Sequence, residues 1–168
     1  MKQFKTLLFA TALVFGMSFM NAQTKVAHIN TQALVEAMPE MQSAKSELEK
    51  VAKTYETEIQ SMATELQNKV KQYDAEAATK TDEENTKRMQ EVAGMEQSIR
   101  QYQAQAQQDL AKKEADLLEP ILKRAKDAVI KVAKAQGFDY VLDSTAGQGV
   151  ILADGKDLLP DVKQELGF

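Results

Sequence analysis

From Glu40 to Ala93 the chain contains neither glycine nor proline, and no other property of its 168 residues restricts the possible folds so strongly. The mean helix of a globular protein is about 11–12 residues, so a stretch this long, rich in Ala, Glu, Lys and Gln, encodes an extended helical element. Apolar residues recur through it at Met41, Ala44, Leu48, Val51, Tyr55, Ile59, Met62, Leu66, Val70, Tyr73 and Ala77. Their steps of three and four draw one stripe along a helix. The first part is heptad-like; from Tyr55 the spacing settles to an 11-residue repeat (Tyr55, Leu66, Ala77), which predicts a nearly straight or slightly right-handed coil. A helix with a single apolar stripe is not stable alone and needs a partner helix.

The partner follows in the sequence. Thr81-Asp82-Glu83-Glu84 matches a capping box, with Thr81 as N-cap and Glu84 three residues on. Asp82 and Glu83 suit the positive end of a new helix. A reversal is therefore expected near Thr79–Thr81. The outgoing arm from Glu40 has a length of roughly 58 Å at the helical rise of 1.5 Å per residue, and the return from Asp82 matches it. The return stripe runs through Met89, Val92, Met95 or Glu96, Ile99, Tyr102, Ala106 and Leu110, thinner than the outgoing one and flanked by glutamines. Gly94 sits mid-helix, where glycine costs about 1 kcal/mol against alanine, so the arm should be soft there. Pro120 starts a new helix or kinks the old one. Gly94 and Pro120 are the candidate hinges, and residues 40–117 the arm.

The two chain ends differ in character. Lys25 to Asn30 alternates as a short strand, and Thr31 to Met38 reads as a short helix stopped or kinked by Pro39. From Leu117 to Ala133 apolar density rises, and Gly137 fits a helix C-cap. Phe138 to Asp143 alternates with Phe138, Tyr140 and Leu142 on one face; Gly147-Gln148-Gly149 reads as a hairpin turn, Val150 to Ala153 as a further strand, and a short helix should begin near Pro160. The fold class is α+β: a long antiparallel helical hairpin on a small β-body, residues 23–39 and 118–168, assembled from both chain ends. Val26, Ile29, Phe138, Tyr140, Leu142, Val150 and Leu152 are its expected contact residues. A sheet this small has open edges and a thin core, so oligomerisation is the expected remedy.

Two lysines within Met1–Lys5, an apolar run over Thr6–Met20 and then Asn21-Ala22-Gln23 form the pattern of a secretory signal peptide, with cleavage expected after Ala22. The run is short for a membrane anchor, which needs about 20 apolar residues. Cleavage would leave 19 basic against 25 acidic residues, a net of −6, which argues against nucleic acid and against docking on anionic lipid. The chain has no cysteine and a single histidine, His28. That excludes thiol catalysis, disulfide scaffolds, Cys-type zinc sites and histidine triads. His28 has no second histidine to complete a ligand set and reads as structural. The Asp82-Glu83-Glu84 run lacks calcium-loop spacing, and no Lys-Ser/Thr follows Gly149 to make a phosphate loop. No metal, cofactor or nucleotide site is expected, and an enzyme is not. Met41, Met62, Met89 and Met95, with Tyr55, Tyr73 and Tyr102, decorate an arm with too few large residues for a dry seam. They read as coiled-coil core or as an adaptable surface for changing apolar partners, since methionine reshapes cheaply.

Taken together the pattern resembles the Skp-like, or OmpH, family of periplasmic chaperones. The resemblance rests on the export signal, Val26-Ala27-His28-Ile29-Asn30-Thr31-Gln32, the helical hairpin, and the ending Gly137 to Asp143, Gly149 to Leu152 and Asp157-Leu158. It implies a homotrimer in which strands from both ends of three subunits form the body and three arms enclose a cavity. It also implies that unfolded outer-membrane proteins are held in the periplasm without nucleotide. Two departures stand out. Well-known relatives are strongly basic, whereas this acidic chain speaks against attraction to acidic clients, membrane or lipopolysaccharide. Leu159 also stands where the family often has a capping Thr. The competing readings are an exported coiled-coil adaptor of the cell envelope and a membrane-anchored stalk, the latter at odds with C-terminal strands.

Overall fold

The computed structural model describes residues 24–168; the apolar leader and its expected cleavage site lie outside the described residues. The elements run β1 (Val26–Ile29), α1 (Thr31–Ala37), α2 (Pro39–Glu76), a 3-10 turn (Ala77–Thr79), α3 (Asp82–Ala135), β2 (Tyr140–Asp143), β3 (Lys156–Asp157) and α4 (Leu159–Leu166). Pro39 does more than end α1. Met38 is extended between the two helices, and Pro39 occupies the first turn of α2, where its missing N–H costs nothing.

At the tip, Glu84 N–H donates to the Thr81 hydroxyl at 3.2 Å and Thr81 N–H donates to the Glu84 carboxylate at 3.1 Å, so both halves of the capping box are made. Asn85 Nδ2 donates across the turn to the Ala77 carbonyl at 3.0 Å. Helix α3 then continues for 54 residues with Pro120 inside it. It ends in a Schellman motif: Gly137 takes a φ of 73°, its N–H reaches the Lys134 carbonyl, and Phe138 N–H reaches Ala133. Glycine adopts that left-handed φ without steric cost.

The body is a three-stranded sheet in the order β2-β1-β3, with both outer strands parallel to β1. Val26 faces Tyr140 and Ile29 faces Asp143 across one ladder. Parallel neighbours require crossovers, and here the whole hairpin arm is the crossover between β1 and β2. Two expectations are corrected. Val150–Ala153 is not a strand and makes no hairpin with β2, so Val150 and Leu152 lie outside the sheet; the third strand is Lys156–Asp157. The alternation supplies a strand pattern but not a ladder partner: the sheet is β2-β1-β3, and Val150–Ala153 adds to neither outer edge. Phe138, Tyr140 and Leu142 also do not share one environment. Tyr140 and Leu142 face outward, while Phe138 precedes β2 and packs on the core with Val141.

The core lies between this sheet and the helices. Ile29, Leu34, Met38, Leu158 and Val162 are fully buried, and Ile121, Ala125, Ala128, Val132 and Ala133 of α3 close over them. Burying each large aliphatic side chain contributes about 1.5–3 kcal/mol. Helix α4 has no Thr at its start; instead Leu159 N–H donates to the Asp157 carboxylate at 2.9 Å. His28 is held at both ring nitrogens, by the Ser144 hydroxyl at 3.3 Å and the Gly155 carbonyl at 3.2 Å.

The chain ends are tied by a polar knot. Asp143 accepts from the Thr31 hydroxyl at 2.6 Å, the Thr145 hydroxyl at 2.7 Å and the Thr145 N–H at 2.9 Å. Asn30 Oδ1 caps α1 through Ala33 N–H at 2.8 Å. Burial pushes the Asp143 carboxyl up and is the largest single influence, yet the hydrogen bonds from Thr31 and Thr145 outweigh it and hold the pKa at about 2, down from 3.8. A carboxyl with a depressed pKa adds stability above its unfolded value, and that contribution fades as pH falls from 3.8 through about 2. Asp143→Asn should therefore lower the urea-unfolding free energy near neutrality by about 1–2 kcal/mol after discounting for solvent screening. The gap between the two proteins should close on acidification through that window. A gap that stays constant down to the low end would contradict this assignment.

Candidate functional site

The arm is built from rungs between α2 and α3. From base to tip they are Glu40–Arg124, Glu47–Lys113 at 2.5 Å, Tyr55–Asp109 at 2.9 Å, Glu58–Tyr102, Lys69–Glu91 at 2.7 Å, Tyr73–Glu91 and Glu76–Arg88 at 2.5 Å. Every step toward the tip on α2 is matched by a step back on α3, so the helices run antiparallel in one register to within a helical turn. The rungs also account for the titration of the groups in them. A hydrogen bond to Asp109 raises the pKa of Tyr55, and one to Glu91 raises that of Tyr73. Glu91 is lowered by Lys69 and Tyr73, and Glu76 by Gln72 and Arg88.

These rungs separate the seven decorating residues into groups. The three tyrosines make contacts within the arm and remain partly exposed. Tyr55 and Tyr102 pack with ring centroids 5.8 Å apart and a tilt of 57°, while the Arg88 guanidinium lies 4.5 Å over the Tyr73 ring. Met41 is at the base, against the body core. Met89 stands free at 66% exposure. Met62 and Met95 come together from opposite helices, with Gly94, Ser98, Ile99, Glu65 and Glu91, around an open gap of about 430 Å³.

What the arm leaves uncovered matters as much as what it joins. The only arm residues buried between Glu40 and Glu119 are Ala44 and Ala106. Leu66, Val70, Val92 and Ile99 remain half-buried on the same stripe. Charge follows the same division of the molecule. The arm from Glu40 to Glu119 holds 17 acidic and 11 basic residues, whereas the rest of the chain after Ala22 balances at eight of each. The net charge of −6 carried by the residues after Ala22 therefore sits on the arm.

A second apolar surface lies on the body. Val26, Tyr140 and Leu142 are exposed on the outer face of the sheet, and Ile151 and Leu152 in the following loop reach 102% and 76% exposure. Among the described residues no cluster of His, Asp or Glu could hold a metal ion, and no helix is long and apolar enough to cross a membrane. The carboxylates and Arg88 that form the rungs are not apparent in the sequence, because their pairing depends on the register between the two helices. Only the conjunction of the tip position and the helical rise points to it.

No curated protein matches the chain. Its fold is similar to the crystal structure of a candidate OmpH-like outer membrane chaperone from Caulobacter crescentus CB15, with a TM-score of 0.77 at 18% sequence identity over 86% of this chain and 85% of that one. The profile of the family described as Outer membrane protein (OmpH-like) matches residues 25–166, which take in the sheet, the whole arm and α4. The chain belongs to the OmpH-like outer membrane protein family.

Proposed function

We propose that this chain is an ATP-independent holdase chaperone of the periplasm that cages unfolded outer-membrane proteins and prevents their aggregation. The observation that carries the reading is the uncovered arm stripe: two helices bury only alanines between them and leave larger apolar side chains half-exposed along the arm. Such a surface gives many weak contacts rather than one tight site, which suits clients of varied sequence. The export pattern ending at Ala22, the family and the kind of protein in the Caulobacter crescentus structure support the same compartment and role.

The cage requires more than one arm. The apolar outer sheet face (Val26, Tyr140, Leu142), with Ile151 and Leu152 beside it, gives the body a surface for self-association, and the functional unit in this reading is a homotrimer. Met62, Met89 and Met95 are the client-facing methionines, and Gly94 and Pro120 let the arm adjust its width. No nucleotide, nucleic acid or cofactor enters the cycle.

The test is light scattering of a urea-unfolded outer-membrane barrel diluted into buffer with and without the mature chain, without nucleotide. Suppression saturating near one trimer per client is expected. Undiminished scattering in the presence of folded chain would remove the holdase reading and favour an envelope adaptor. Softness at Gly94 is tested separately. A Cβ there meets no atom within 4 Å, so Gly94→Ala should raise the urea-unfolding free energy by about 1 kcal/mol. It should also slow amide exchange in the neighbouring turns of α3. A loss of stability would show that the glycine is held by packing.

A further inference from the structure

The gap beside Gly94 has no explanation in the arm's own packing. A mid-helix glycine is unfavourable, and one is commonly kept where a side chain would collide with a neighbour; here a Cβ would enter open space. That space is lined by Met62 and Met95 from opposite helices, with Ile99, Ser98, Glu65 and Glu91. Glu65 has no basic partner within ion-pair distance, whereas Glu91 is engaged by Lys69 and Tyr73. The surrounding arm carries the whole net negative charge of the exported chain.

We propose that this gap is a receptor for an aromatic side chain of an extended polypeptide, and that the segment presenting it carries lysine or arginine beside the aromatic. Three features fix the class of occupant. The volume of about 430 Å³ exceeds that of any single side chain and leaves room for a ring to enter edge-on. Methionine sulfurs favour aromatic partners, and their flexible chains close around rings of different shape. The acidic residues of the lining, Glu65 and Glu91, and the acidic arm complement a cation on the flanking residue and repel an acidic one. Gly94 is then the opening of the receptor: a side chain as long as leucine at that position occupies the space the ring would take, whereas a single Cβ meets no atom within 4 Å.

This inference rests on the chaperone reading, and its test keeps the two apart. Chain labelled at its methionine methyl groups is titrated by NMR with three extended peptides that alternate Phe with Lys, Ala with Lys, and Phe with Glu. The Phe/Lys peptide should move the Met62 and Met95 methyls upfield by ring current and leave Met41 unmoved. The other two peptides should leave all three in place. Gly94→Leu, a better helix former, should fill the gap and weaken Phe/Lys binding about tenfold, or about 1.4 kcal/mol, while Gly94→Ala should retain it. That pair distinguishes a receptor from a hinge, since both substitutions stiffen the helix and only one fills the gap. Silent Met62 and Met95 methyls with the Phe/Lys peptide, or equal shifts with all three, would overturn the proposal. If the chain still suppresses barrel aggregation in that event, the holdase reading stands without this receptor.

Discussion

The two helices of the arm leave their larger apolar side chains only half-covered, and most of this molecule is arranged around that fact. Each helix offers one face to the other, and only two alanines of the arm, Ala44 and Ala106, are buried. The larger apolar side chains are covered on one side alone. The arm is held in register by polar rungs instead: tyrosine hydroxyls to Asp109, Glu58 and Glu91, and ion pairs from Glu40–Arg124 at the base to Glu76–Arg88 at the tip. Exposed ion pairs of this kind each contribute little, about 0–1 kcal/mol. Their role is to set register while the apolar surface stays available.

The rigidity missing from the arm is concentrated in the body. Ile29, Leu34 and Val162 come from β1, α1 and α4, Met38 and Leu158 from the junctions before α2 and α4, and all five are fully buried. The Asp143 knot joins β2 to the start of α1 across more than a hundred residues of chain. Because the arm is the connection between two adjacent parallel strands, fixing β1 against β2 also fixes where α2 leaves and α3 returns. The register of the arm is thus set at both ends, by the ladder at the base and by the capping box at the tip.

Much of this was legible in the residues. The stripe, the Thr81 box and Gly137 each encode a local structure that depends on neighbours within a few positions, and local rules suffice for them. Val150–Ala153 shows where such rules stop: alternation describes a strand, but a strand exists only with a partner edge, and this segment pairs with neither β2 nor β3. The outward turn of Tyr140 and Leu142 has the same origin, since the inward face of β2 is decided by Val141 and Asp143 meeting the core and the knot. The tyrosines could be read as adaptable surface because their partners lie up to 54 residues away, reachable only through the fold. The gap at Met62 and Met95 was hidden for the same reason.

The central claim is that the half-exposed stripe of the arm is the surface a captured polypeptide covers. Hydroxyl-radical footprinting of the mature chain, free and loaded with an unfolded barrel, addresses it residue by residue. The account predicts protection of Leu66, Val70, Val92 and Ile99, with Lys53 and Lys71 on the exposed flank of α2 unchanged. Protection confined to the body, or spread equally over both faces of the arm, would contradict it.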